Sequence, residues 1–213
     1  MARLRRNDVP RSSRGTAERP DCVDVRQYRR SILLPGTTVL KNRRNLRTQE
    51  ALDRFETAIT AQRFSEQLPT GKLTEQHYRR VHRHIFGDVY AWAGEYREKI
   101  RISKGDSTFC YPEYIPREMA KLFEGLRRAN NPRGLSKQDF ARGAASLLAT
   151  LNAIHAFRDG NGRSQLAFMG LIARSAGHQL DLNKIVPADF LAAMIRSFQD
   201  GEELLAEQLA RLL

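Results

Sequence analysis

Cysteine is scarce: Cys22 and Cys110 are the only two in the chain. There is no Cys-x-x-Cys pair and no Cys/His cluster, which excludes the usual zinc-binding patterns. Both thiols are read as free, in a reducing compartment. Long apolar runs are missing too. None nears the ~18 residues that a membrane-spanning helix requires. No apolar core follows the N-terminal arginines, so no secretory signal is read there. The expectation is a cytoplasmic protein with no membrane partner. Acids are in deficit, 24 against 36 lysines and arginines, for a formal net charge of +12. Such a balance suits an anionic partner, whether nucleic acid, nucleotide or an acidic protein face, and equally suits plain solvation.

What is present is enough for one domain: 213 residues, 41% of them hydrophobic. Residues 1–31 hold nine arginines against four acids, with Pro10, Gly15 and Pro20 to break any helix. They are read as a flexible basic arm, with nucleic acid as an alternative partner. Residues 32–213 are read as the domain. Helical periodicity starts at Thr48 (Leu52, Phe55, Ile59), and resumes after Leu73-Thr74 with Tyr78, Val81, Ile85 and Val89 on one stripe. His77, His82 and His84 on that helix are read as structural or exposed, and Trp92 as a core anchor. Residues 99–103 and 108–111 are strand-like, with Lys104-Gly105-Asp106-Ser107 between them, which predicts a β-hairpin. Further helices are predicted at 113–130, after a capping box of Ser136 and Asp139, after Gly162, from Pro187, and over 201–213. The fold class is all-α with one inserted hairpin.

One stretch carries the chemistry: "HAFRDGNGR", residues 155–163. A buried helix is predicted to start near Arg163, and its first N–H groups carry partial positive charge. Gly160 and Gly162 let the preceding backbone turn its amides together, and Arg163 adds a cation, which makes an anion site. An acid beside such a site repels phosphate unless a cation intervenes, and Mg²⁺ held by Asp159 fits. His155 is suited to act as general base toward a hydroxyl. Each residue alone also reads as an ordinary cap or turn. Together they point to attack on phosphorus, with Phe157 a plug into the core.

These nine residues resemble the signature of the Fic family, His-Pro-Phe-x-Asp/Glu-Gly-Asn-Gly-Arg-x-x-Arg. Residues 34–48, 82–98 and 102–115 are similar to Fic segments as well, and the likeness spans roughly 34–200. The resemblance implies a Fic-fold helical domain that moves AMP from ATP to a target protein's hydroxyl. His155 is then the catalytic base and Asp159 the Mg²⁺ ligand. Gly160, Asn161 and Gly162 form the anion hole, and Arg163 lies on the phosphate tail. The hairpin is the target-binding flap (Ile102, Thr108, Phe109), whose turn, Lys104, Gly105, Asp106 and Ser107, covers the nucleotide. Lys41 and Asn42 line the same cleft.

Two positions depart from the pattern. Ala156 stands in place of the proline, and Leu166 in place of the second arginine, which in relatives grips the terminal phosphate. The loss of one charge-assisted bond weakens binding roughly ten- to over a hundredfold. Arg101 and Arg174 are the candidates to compensate. The Ser/Thr-x-x-x-Glu-Gly/Asn string of self-inhibited relatives does not occur. The resemblance therefore implies a bacterial toxin restrained by a small antitoxin in trans, with type II topoisomerase subunits as targets. Two alternatives stay open. One is a Fic-fold phosphotransferase or other nucleotidyl transferase. The other is a degenerate module that binds nucleic acid or protein.

Overall fold

Side-chain caps decide where the main helices begin. The computed structural model describes residues 32–99, 101–104, 107–129, 134–199 and 201–213. The predicted arm (1–31), Cys22, Gly105 and Asp106 lie outside them. Helix α1 (Gln49–Ser65) starts where Thr48 Oγ1 accepts from Ala51 N–H, and α2 (Glu75–Phe86) where Thr74 Oγ1 accepts from His77 N–H. After the hairpin β1 (Ser103–Lys104) and β2 (Ser107–Thr108), a short 3₁₀ turn at Pro112–Tyr114 leads into α3 (Ile115–Arg128). Ser136 caps α4 (Lys137–Ile154) by accepting from Asp139 N–H at 3.1 Å, the predicted capping box. Then come α5 (Asn161–Ser175), α6 (Pro187–Arg196) and α7 (Glu203–Leu212). The all-α class stands. No described helix is long and apolar enough to cross a membrane.

Helix α5 packs against α2 and α4, and α7 covers the other side of α4. Most of α5 is buried, as its composition predicts: Ala167, Phe168, Met169, Ile172 and Ala173 all face the core. Tyr78, Phe86, Phe157 and Phe168 are each under 2% exposed. Burial of each such side chain contributes roughly 1.5–3 kcal/mol. Phe157 is the expected plug, its ring set among Tyr78, His82 and Tyr96. Trp92 differs in part from expectation. It packs against the edge of the core but is only half-buried, stacked on Tyr90 at 4.4 Å, with part of it lining a cavity.

The hairpin is shorter than predicted. Its register pairs Ser103 with Thr108 and Lys104 with Ser107. Lys99 has φ +62°, outside the extended region, so pairing cannot start there. The hairpin leans on the helical body: Cys110 N–H donates to Ala153 O at 3.0 Å, at the end of α4. A two-stranded hairpin is marginal alone, and this anchorage supplies the support it needs.

Candidate active site

The 155–163 stretch joins the C-terminus of α4 to the N-terminus of α5. His155 is the residue that ends α4. Its φ is +48°, the left-handed conformation that breaks the helix and turns the chain. Such a φ is costly for a non-glycine residue. The surroundings hold it. Buried Arg97 donates from Nε to His155 O at 2.8 Å and from Nη2 to Ile154 O at 3.2 Å. The same Nη2 reaches Cys110 O at 2.5 Å, so one guanidinium joins the end of α4 to the flap. A cation at a helix C-terminus also meets favourable dipole charge. The Phe109 ring stacks on the imidazole of His155, centroids 3.9 Å apart and planes 17° apart.

The loop is braced from inside. Asn161 is 3% exposed, and its amide makes a closed pair with Phe157: Oδ1 accepts from Phe157 N–H (2.9 Å) and Nδ2 donates to Phe157 O (2.8 Å). His82 is fully buried and holds the loop at its next bend. Gly94 N–H donates to His82 Nδ1 at 2.9 Å, which fixes the tautomer, so Nε2–H donates to Asp159 O at 2.9 Å. Burial pushes the His82 imidazole down to about 4, so the ring is neutral near pH 7. Gly160 is the N-cap of α5 at φ +75°, and a Cβ there would lie 2.3 Å from the Phe86 ring. Only glycine fits both constraints.

These bonds revise the expected anion hole. The Gly160 N–H donates to Asp159 Oδ1 at 2.5 Å, and the Asn161 side chain is committed to Phe157, so neither group faces a ligand. The groups that remain are the first-turn N–H donors of Asn161, Gly162 and Arg163. They precede the first intrahelical bond, from Ser164 N–H to Gly160 O at 3.0 Å. Gly162 is exposed, and a Cβ built on it meets nothing within 4 Å. The fold does not require glycine there. An open approach to the amides does.

Asp159 is exposed at the mouth of the loop. Among the described residues no group of three His, Cys, Asp or Glu side chains is placed to hold a metal by itself. A single carboxylate suits Mg²⁺, which takes its other ligands from phosphates and water.

Arg163 is not free for a phosphate tail. Its guanidinium pairs with Glu56 on α1 at 2.5 Å, contacts Thr60 Oγ1 at 3.3 Å, and lies over the Phe86 ring, 4.5 Å from its centroid. Asp159 Oδ1 lies 3.8 Å away. Glu56 also accepts from the Tyr90 hydroxyl, and burial beside that carboxylate pushes the phenol far up, so it keeps its proton.

Of the flap residues, Thr108 is exposed, while Ile102 O accepts from Phe109 N–H at 3.1 Å. Phe109 departs from its expected place: its ring is 6% exposed and turned inward onto His155 and Phe198. The backbones of Lys104 and Ser107 close the hairpin. Lys41 and Asn42 line a cavity of about 670 Å³ with Trp92, Tyr96 and Arg158, but the Asn42 amide is bound to Leu40 O, Leu46 O and Leu46 N–H in its own turn. Neither arginine proposed to stand in for Leu166 is placed to do so. Arg101 lies over the Tyr111 ring at 4.2 Å, and Arg174 is in the last turn of α5, ~16 Å along the helix from Arg163.

Glu56 and Arg97 were not found by sequence reading. Glu56 left a trace: Leu52, Glu56 and Thr60 share one stripe of α1, and two polar residues interrupt an otherwise buried face. Arg97 left none, because its three acceptors are backbone carbonyls.

A probable protein adenylyltransferase of Sinorhizobium fredii is 50% identical over 180 residues, covering 84% of this chain and 93% of that protein. Among solved structures, the BepC effector of Bartonella tribocorum with bound AMPPNP superposes with a TM-score of 0.80 at 24% identity, over 85% of this chain and 95% of that one. The N-terminal Fic domain of a VirB-translocated effector of Bartonella quintana, with bound ADP, gives 0.77 at 27% identity, over 85% and 94%. The Fic/DOC family model matches residues 72–173, which hold the flap, the catalytic loop and nearly all of α5. With a relative this close along nearly its whole length, the chain belongs to the Fic/DOC family.

Proposed function

We propose that the protein is a protein adenylyltransferase, which moves AMP from ATP to a hydroxyl side chain of a target protein. One observation carries the reading: the unbonded first-turn amides of α5 open at Gly162, on the same short loop as His155 and Asp159. Amides and helix dipole stabilise charge on the phosphates. His155 takes the proton of the target hydroxyl. Its oxygen forms a bond to the α-phosphorus as the bond to the bridging oxygen breaks, and pyrophosphate leaves. Asp159 would hold Mg²⁺, which supplies charge neutralisation at the phosphates when bound. The names of the relatives, and the AMPPNP and ADP bound to two neighbours, support the same donor class.

The hairpin suits an extended target segment that adds as a strand, since main-chain bonds need no fixed sequence. The proposal extends to a cytoplasmic toxin restrained by a small antitoxin in trans, with type II topoisomerase subunits as targets and the basic arm as a nucleic-acid contact. These rest on the family resemblance and the charge of the sequence.

Incubation with Mg²⁺, cell lysate and ATP labelled at the α- or γ-phosphate tests the activity. Label on protein from the α position only, lost in His155→Ala, is the expected result. Label from the γ position indicates phosphotransfer, and absence of transfer with salt-sensitive DNA binding indicates a binding module.

A further inference from the structure

The arginine nearest the open amides of α5 is engaged with protein partners. Arg163 is in place on the first turn of α5, yet Glu56, Thr60 and the Phe86 ring hold it from three sides. Glu56 is only 13% exposed at its side chain and accepts from Tyr90 as well. The Arg163 side chain is 39% exposed, but withdrawing it would leave the largely buried Glu56 carboxylate uncompensated, which is unfavourable. A nucleotide does not easily take the arginine away. One turn further on, at the position that shares a face with open Gly162, stands Leu166, half-buried and apolar. It offers no donor. Among the described residues, the other arginines of the neighbourhood are also occupied: Arg97 on the carbonyls below α4, Arg158 over the Trp92 ring, and Arg101 over the Tyr111 ring.

We infer that the site takes nucleoside diphosphates and nucleoside triphosphates with nearly equal affinity, because Glu56 keeps Arg163 from the terminal phosphate and Leu166 leaves that phosphate without a partner. The inference rests on the nucleotide-binding reading above and specifies its donor class. Among the described residues, the donors left at the start of α5 are the amides of Asn161, Gly162 and Arg163, too few to give the third phosphate a grip of its own. A guanidinium on that phosphate would favour the triphosphate tenfold or more. Without one, the preference falls to about threefold or less.

Titration calorimetry of the full chain with AMPPNP and with ADP, each with Mg²⁺, decides this without reference to catalysis. The expected result is dissociation constants within about threefold of each other. Leu166→Arg and Glu56→Gln, the first supplying a guanidinium and the second releasing one, each raise the preference for AMPPNP to tenfold or more. Circular dichroism establishes that the variants fold, and the wild-type ratio decides by itself should either fail to. A wild type that binds AMPPNP at least tenfold tighter than ADP overturns the inference alone. Folded variants that leave the ratio unchanged overturn it as well. A wild type that binds neither nucleotide overturns the proposed function and the inference with it.

Discussion

The guanidinium of Arg97 donates to the carbonyl of His155, 58 residues away in sequence, at 2.8 Å. The bond ties the left-handed turn at the end of α4 to a buried side chain on the stretch that follows Trp92. Arg97 is 2% exposed and serves the carbonyls of Ile154 and Cys110 besides. Arg97→Leu removes donors from three buried acceptors. The expected loss is about 3–5 kcal/mol of unfolding free energy, measured by urea titration. Arg97→Lys recovers only part, since an ammonium cannot span the three carbonyls.

The His82 imidazole is pushed down to about 4 by burial, below its ordinary 6.5. Between those values the unfolded chain binds a proton that the folded chain refuses. Folding stability therefore falls as pH drops from about 6.5 toward 4, and the contribution is intact above 6.5. A shift of this size is worth on the order of 3 kcal/mol. Thermal melts from pH 7.5 to 4.5 should show the slope. His82→Gln should flatten it, at the cost of lower stability at neutral pH.

Gly160 and Gly162, on either side of Asn161, separate steric need from ligand access. Gly160→Ala forces a Cβ to 2.3 Å from Phe86 at φ +75°, and the expected result is a clear fall in melting temperature. Gly162→Ala meets nothing and sits in the first turn of α5, so the melting temperature holds or rises slightly. Its methyl group stands before the open amides, and AMPPNP affinity should drop at least tenfold. Calorimetry and melting together check the pair. Equal nucleotide affinity in Gly162→Ala would count against the amides as the phosphate site.

How far the sequence went follows from what kind of signal each feature leaves. The helices were legible because caps and apolar stripes are local: Ser136 caps as read, and Thr48 and Thr74 cap the helices read to start beside them. The loop was legible because six kinds of chemistry crowd into nine positions. Its internal bracing was not. Asn161 reads as a ligand donor until its amide is seen closed on Phe157, and Gly160 N–H reads as free until Asp159 takes it. The partners of Arg163 lie 103 and 107 residues away, beyond any local pattern. Phe109 falls in the strand-like run predicted over 108–111, whose alternation is too short to say which face points inward.

That inward face gives the last test. The Phe109 ring is 3.9 Å from the imidazole of His155, nearly parallel, and Phe198 meets its other side edge-on at 5.6 Å. The parallel face of Phe109, itself backed by Phe198, limits the tilt of the imidazole, and general-base catalysis is sensitive to small misplacement. The expected role of Phe109 is to position His155. Phe109→Leu keeps an apolar side chain over His155 but loses the parallel face. Turnover should fall about tenfold, while the dissociation constant for AMPPNP stays within twofold. A merely structural role would lower both together through loss of folded protein. A target-binding role would instead raise the KM for the protein substrate with turnover unchanged. Single-turnover transfer of α-labelled AMP at saturating target separates the three outcomes.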